Sequence, residues 1–310
     1  MPEILGVDTS NYTTSTALWV DGTIVQQKRL LPVRAGGLGL RQSDAVFHHV
    51  QQLPELLEAL LPKPPCSLRA IGCSTRPRAV EGSYMPCFTV GHGTARALAA
   101  ACGVPLYTFS HQQGHIAAAL WSSDRLDLLG KQFIAFHVSG GTTEAVLVEP
   151  RPDDPLHAEI CAQSLDLKGG QAVDRVGKLL GLPFPAGPAL EALAEKSSRT
   201  FLVRPSMKGA DCSLSGIENR CQRLVQQGTP PEDVARFCLD SLFAALDAMA
   251  KALLRQYPGL PLVFAGGVMS NRYLREKLQA RYQASFAEPA FSSDNAAGVA
   301  VLAALQEGVL

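Results

Sequence analysis

Two histidines, His111 and His115, stand four residues apart in the run SHQQGH. On a helix this spacing brings both imidazoles to one face, where they can share a metal ion. The same spacing suits a pair of surface or buried structural histidines. The residue after His111 is Gln112, where a zincin needs a Glu as general base, so peptide hydrolysis loses its standard mechanism. A distant carboxylate, Asp294, precedes Asn295 and a run of small residues. It serves either as a helix cap or as a third ligand. Two imidazoles and a carboxylate with open positions suit iron or zinc.

A second group offers backbone amides. Ser139-Gly140-Gly141-Thr142-Thr143 reads as a turn between strands, either a plain tight hairpin or a cradle for phosphate. Gly266-Gly267 follows an apolar run, with Asn271 a few residues on. That is an ordinary strand-to-helix turn capped by Asn271 or a seat for adenine and ribose. The chain has no G-x-x-x-x-G-K-[ST] and no G-x-G-x-x-G, so phosphate binding would be of the hairpin type.

These residues need elements to position them. Strand, turn and strand are predicted over 4–20 from β-branched and apolar residues. A helix is predicted over 44–61, stopped by Pro62, Pro64 and Pro65. A short strand follows at 70–74, a Gly- and Pro-rich loop at 76–93, a helix at 94–102 and a strand at 104–109. Ser110 is placed to cap the helix carrying the histidines. The opening pattern then returns. ILGVDTSNYTTSTALWV at 4–20 and FIAFHVSGGTTEAVLVE at 133–149 align without gaps, Ser10 on Ser139, Thr13 on Thr142, Thr14 on Thr143 and Leu18 on Leu147. Two copies suggest a duplicated domain rather than a solenoid. Further helices are predicted at 170–180, 231–257 and 272–282, a linker-like stretch at 182–188, a buried strand at 260–265 and a closing helix to about 305.

Composition sets outer limits. The 310 residues suggest two domains at roughly 150 residues each. Lys plus Arg number 28 and Asp plus Glu 28, so bulk charge attracts no nucleic acid, and any RNA contact needs a local basic patch or a partner. None of the eight cysteines forms a CxxC pair, which argues against a zinc knuckle. Reduced thiols in a cytoplasmic protein are expected. Neither a signal peptide nor a membrane span is predicted.

The succession of motifs resembles the TsaD glycoprotease-like family of the actin-like ATPase superfamily. ILGVDTSNYTTS is similar to its first phosphate hairpin, SHQQGH to its metal motif and HVSGGTTE to its second hairpin. GGQAVDRVGKLLGLPFPAGPAL, DCSLSGIENR, FAGGVMSNRYLR and FSSDNAAGVA resemble its later motifs in order. The resemblance implies an α/β, two-lobed actin-like fold with duplicated sheets and a nucleotide cleft between lobes, divided as 1–110 plus 296–310 and 111–295. It implies transfer of a threonylcarbamoyl group from threonylcarbamoyl-adenylate to a tRNA adenosine, or a related carbamoyl transfer. The alternative is a non-catalytic nucleotide-binding scaffold of a tRNA-modification complex.

Residue by residue, the resemblance implies a divalent metal, iron or zinc, on His111, His115 and Asp294. Nucleotide or substrate contacts fall on Val138, Ser139, Gly140, Gly141, Thr142, Asp174, Gly187, Gly266, Gly267 and Asn271. Catalytic roles fall on Thr13 and Ser139. Implied partners are an adenine nucleotide, tRNA, and other subunits of a modification complex or further copies of the chain. The chain departs from the family at Tyr12 and Thr13, where an acidic pair is usual, at Thr142 in place of His, and at Gln171 in place of Glu.

Overall fold

Gly6 and Gly72 pair with each other across two parallel strands, β1 (Glu3–Asp8) and β4 (Leu68–Arg76). A side chain at Gly6 would meet the Ala296 carbonyl at 2.4 Å, and one at Gly72 the Val299 carbonyl at 2.3 Å. The glycine pair therefore makes a trough in the sheet. The small-residue helix that ends the chain, Ala297–Gln306, lies in it, its residues from Ala297 to Ala304 buried.

The computed structural model describes residues 2–10, 12–32, 40–61, 67–152 and 154–310. It divides the chain into Met1–Asp127 with Asp294–Leu310, and Leu128–Ser293. The boundary expected at 110 is displaced. Helix α3 (His111–Ser122) belongs to the first unit because it packs on the terminal helix.

In the first unit β2 (Thr13–Val20), β3 (Thr23–Leu30) and β5 (Leu106–Ser110) complete a sheet of order β3-β2-β1-β4-β5. Its other face is covered by α1 (Gln42–Leu60) and α2 (Phe88–Cys102). Leu53, Leu57, Leu60, Ala95 and Ala99 pack there against Leu5, Val7, Leu18 and Ile71. The loop expected over 76–93 is corrected, since α2 starts at Phe88. Gly91 looks like a helix breaker but is a packing residue. A side chain there would lie 2.8 Å from the Thr9 hydroxyl, which accepts the Gly91 N–H at 3.0 Å. The stop expected at Pro62, Pro64 and Pro65 lies outside the described residues.

The second unit repeats the pattern. β6 (Phe133–Val138), β7 (Thr143–Val148), β8 (Ala158–Gln163), β11 (Leu262–Ala265) and β12 (Ala284–Phe286) are ordered β12-β11-β6-β7-β8. The ungapped sequence alignment puts Asp8 on His137 and Ser15 on Glu144. Asp8 pairs with Ser15 in one sheet and His137 with Glu144 in the other, so the two hairpins share one register. A small hairpin, β9 (Ser206–Lys208) and β10 (Asp211–Ser213), forms a two-stranded sheet of its own. The helices are α4 (Gly169–Leu179), α5 (Gly187–Ala194), α6 (Ser215–Gln226), α7 (Pro231–Gln256), α8 (Arg272–Gln279) and α9 (Pro289–Ser292), the terminal helix being α10. The stretch 182–188, linker-like in sequence, already includes the first turn of α5 at Gly187 and Pro188.

The core of this unit stacks Phe264 between Phe136 and Phe286, with ring centroids at 4.6 and 5.0 Å. Along α7, three buried carboxylates recur at heptad spacing, each matched as burial requires. Asp233 accepts from Ser197, Asp240 from Tyr273 and Lys277, and Asp247 from Tyr282 and Arg281.

Candidate metal centre and phosphate hairpin

Ser110 caps α3 as expected. Its hydroxyl accepts the Gln113 N–H at 3.2 Å, and Gln113 Oε1 accepts the Ser110 N–H at 2.8 Å. This capping box occupies Gln113, the second of the two glutamines between the histidines. The helix then turns His111 and His115 the same way, their Nε2 atoms 2.9 Å apart. Asp294 Oδ1 lies 3.5 Å from His111 Nε2 and 3.3 Å from His115 Nε2.

The sequence left Asp294 open between cap and ligand. In the structure the two neighbours point to different groups. Asn295 accepts the Ala297 N–H at 3.0 Å in the turn that leads into α10, while the Asp294 carboxylate faces the imidazoles. The three donor atoms lie within 4.8 Å of one another.

Sequence reasoning missed Asp8, which it read only as the end of a strand. Asp8 is 1% exposed. Its Oδ2 stands 3.1 Å from His111 Nδ1 and accepts the Ser10 hydroxyl at 2.8 Å, and its Oδ1 accepts from Ser74. The available signal was an acid ending β1 immediately before a polar turn. Burial alone would raise its carboxyl, but the neighbouring His111 charge and the hydrogen bonds outweigh burial and hold it below the ordinary range. Desolvation would lower His111, yet Asp8 and Asp294 overcome it and push the imidazole up to about 10. His115 moves the other way, lowered by desolvation and by the charge on His111. Desolvation would raise Asp294, and the two histidines hold it far below the ordinary carboxylate range. The two carboxylates thus favour positive charge at His111, and His111 in turn disfavours it at His115. A divalent cation on the Nε2 atoms would replace the His111 proton, leaving both imidazoles neutral beside the carboxylates.

The second group forms around Ser139. The Ser139 N–H donates to the Thr142 carbonyl at 2.7 Å, and Ser139 Oγ accepts the N–H groups of Gly141 and Thr142 at 3.3 and 3.1 Å. Gly170 N–H donates to the Ser139 carbonyl at 3.0 Å. A side chain at Gly170 would lie 2.7 Å from Gly140, and one at Gly266, with φ 98°, would lie 2.3 Å from the Val138 carbonyl. Val138, Ser139, Gly140, Gly170 and Gly266 are therefore brought together, and the space beside Gly140, Gly141, Gly187 and Gly267 is open. Gln171, standing for the family's Glu, accepts the Lys168 N–H at the start of α4 at 3.3 Å.

Asp174 accepts the Ala186 N–H just before α5 at 2.8 Å, and Asn271 caps α8 by accepting the Leu274 N–H at 3.0 Å. Thr13 is buried at the start of β2, its N–H on the Ser10 carbonyl at 3.2 Å. Thr13 and the histidine pair lie in the first unit, and the hairpin residues, Asp174, Gly187 and Asn271 in the second.

Two duplicated α/β units of this topology define an actin-like ATPase fold. Solved structures agree. Component A of the (R)-2-hydroxyglutaryl-CoA dehydratase of Acidaminococcus fermentans superposes with a TM-score of 0.59 at 15% identity, covering 99% of this chain and 100% of that one. Full-length HypF in its phosphate- and nucleotide-bound form gives 0.59 at 14% identity over 97% of this chain and 54% of that one. Likeness at this level shows the fold alone.

The family follows from sequence. The model of TsaD, tRNA N6-adenosine threonylcarbamoyltransferase, matches residues 32–301. The protein of that description from Aromatoleum aromaticum is 32% identical over 98% of this chain and 91% of its own length. A Thermus thermophilus protein of the same description is 31% identical over 97% and 91%. The chain belongs to the TsaD family, a family of acyl-group transferases and not of proteases. No helix among the described residues is long and apolar enough to cross a membrane.

Proposed function

We propose that this chain transfers a threonylcarbamoyl group from threonylcarbamoyl-adenylate to the N6 amine of an adenosine in tRNA, acting in the cytoplasm. The observation that carries the reading is the convergence of His111 Nε2, His115 Nε2 and Asp294 Oδ1 in a chain of the TsaD family. Two neutral nitrogens and one anionic oxygen, with open positions, fit iron or zinc. An ion held there supplies Lewis-acid polarisation of donor oxygens.

The remaining work falls to the chain. Asp8 orients His111 so that Nε2, not Nδ1, faces the donor cluster. Gly140, Gly141 and Thr142 offer N–H groups to the donor phosphate once Ser139 Oγ turns away from them, which orients the acyl carbon. Asp174, Gly187, Gly266, Gly267 and Asn271 are assigned to the nucleotide, Thr13 and Ser139 to hydroxyl contacts beside the reacting atoms. In the reaction a bond forms between N6 and the carbamoyl carbon. The bond from that carbon to the phosphate oxygen breaks, and AMP leaves with its electron pair. Tyr12 and Thr13 supply no carboxylate base, so the amine proton passes to the departing phosphate or to water.

That same substitution favours one other reading, a nucleotide-bound scaffold within a tRNA-modification complex or a homo-oligomer. Metal analysis and single-turnover assays with threonylcarbamoyl-adenylate and unmodified tRNA separate the two. The transferase reading expects modified adenosine from the wild type, and loss of metal and product together in His115→Ala. Tight AMP binding without transfer selects the scaffold, and metal content unchanged in the variant removes the ion from the histidine pair.

A further inference from the structure

A chain with no net charge whose acceptor is a polyanion must concentrate cations locally. On the second unit, α6 presents Arg220 and Arg223 at the rim of a cavity of about 220 Å3 lined also by Phe201, Leu224, Gln227 and Phe237. Phe201 and Phe237 meet edge to face, with centroids at 5.4 Å. The Arg220 guanidinium carbon lies 5.4 Å from the Phe237 centroid, and that of Arg199 5.2 Å from the Phe201 centroid. Arg199 is matched by Asp233 at 3.2 Å, and Glu218, the acid on α6 itself, is matched by Arg175 at 2.9 Å. Arg220 and Arg223 are exposed and belong to no ion pair among the described residues.

We propose that this cavity is a contact site for an unpaired nucleotide of the tRNA acceptor. The proposal rests on the transferase reading and adds where this chain grips RNA. A guanidinium backed by an aromatic ring is a flat, rigid cation on which a base can stack. Arg223, one turn further along α6, is placed for the adjoining phosphate. An acidic peptide would use the charge of both arginines but not the flat face of Arg220, so RNA is the better match.

The position along α6 also suits an acceptor. The Ser215 hydroxyl donates to Asp166 Oδ2 at 2.6 Å, and close by in sequence the Gly169 N–H donates to Thr143 Oγ1 at 2.8 Å, beside the Ser139 hairpin. The start of the helix is thus tied to the hairpin. Arg220 and Arg223 follow about 8 and 12 Å along the axis, within the span of a short single-stranded loop.

The test is binding of a fluorescent unmodified tRNA transcript to the full chain at several salt concentrations, with a poly-Glu peptide as competitor. Arg220→Ala with Arg223→Ala is expected to weaken binding at least about tenfold and to lower the salt slope by roughly one, with the melting temperature and AMP affinity unchanged. Arg223→Lys should restore its share, because a phosphate needs only charge. Arg220→Lys should keep the salt slope yet stay weaker than wild type, because the stack is lost. Wild-type RNA affinity in the double variant overturns the cavity assignment alone. Displacement of RNA by the peptide at equal charge overturns the nucleotide as occupant. A wild-type chain that binds no RNA removes the tRNA reading and this site with it.

Discussion

His111 Nδ1 stands 3.1 Å from Asp8 Oδ2, while the other nitrogen of the same ring faces His115. In a metal site, a carboxylate behind a ligand imidazole fixes its tautomer and its orientation, and Asp8 is placed to do this if His111 is a ligand. Asp8 is held in turn by Ser10 and Ser74, so the whole assembly is rigid before any ion arrives. Asp8→Ala should weaken zinc or cobalt binding by about 10- to 100-fold, read by competition with a chelating dye. Asp8→Asn, which can still accept from Nδ1–H, should lose less. Equal affinity in wild type and Asp8→Ala would show that His111 needs no support.

The proposed metal site also depends on how closely two helices cross. A side chain at Gly298 would lie 1.7 Å from the Gly114 carbonyl oxygen, whereas one at Gly114 would meet only Val299 Cγ1 at 3.2 Å. Gly114 lies between the two histidines and Gly298 four residues after Asp294. Gly298→Ala must therefore push α3 and α10 apart, at a cost of at least about 1–3 kcal/mol, and should lower thermal stability and metal affinity together. Gly114→Ala should stay close to wild type, since the gain in helix propensity of roughly 1 kcal/mol offsets a mild contact. Similar effects from the two alanines would contradict the crossing geometry.

Much of this was readable in residue types and spacing. The imidazole pair, the Ser110 cap and the register of the two hairpins follow from local pattern, because helix faces and strand alternation are local properties. Asp8 was not readable, because its meaning comes from His111, which is distant in sequence and reaches it only through the fold. The start of α2 at Phe88 was hidden for a related reason. Gly91 carries a breaker's propensity, and only its contact with Thr9 shows that the missing side chain makes room for a neighbour. Edge strand β3, with exposed Val25, Lys28, Arg29 and Leu30, lacks the buried alternation that announces a strand, and only its pairing with β2 along its whole length establishes it as one.

His49 provides a pH-dependent term in stability. It is fully buried on α1. Gln52 Nε2 donates to the Leu30 carbonyl at 3.3 Å, so Gln52 Oε1 faces Thr14 and accepts its hydroxyl at 2.8 Å. Thr14 Oγ1 then accepts from His49 Nδ1–H at 2.8 Å, and Nε2 is left buried without a partner. Desolvation lowers this imidazole from 6.5 to about 4. The unfolded chain therefore takes up the proton first as pH falls. The stability that goes with a neutral His49 is complete above about pH 6.5 and is lost progressively down to about pH 4, by up to about 3 kcal/mol. Urea melts of wild type across this range should show the loss, and His49→Gln should flatten it. Parallel pH profiles for the two proteins would refute the assignment.

The Ser139 hairpin separates a packing glycine from a proposed binding glycine. A side chain at Gly170 would strike Gly140 at 2.7 Å, whereas the space beside Gly140 is open and its φ lies outside the left-handed region. Gly170→Ala should force α4 off the hairpin and lower both stability, by about 1–3 kcal/mol, and AMP affinity. Gly140→Ala should fold with wild-type stability, since nothing in the free protein resists the added methyl. If a phosphate approaches this backbone, the methyl occupies the phosphate's place, and AMP affinity should fall about tenfold while zinc affinity, set by the first unit, stays unchanged. Calorimetric titration of both ligands into the two variants reads all four numbers. Wild-type AMP affinity in Gly140→Ala would mean that the phosphate does not rest on the Ser139 turn.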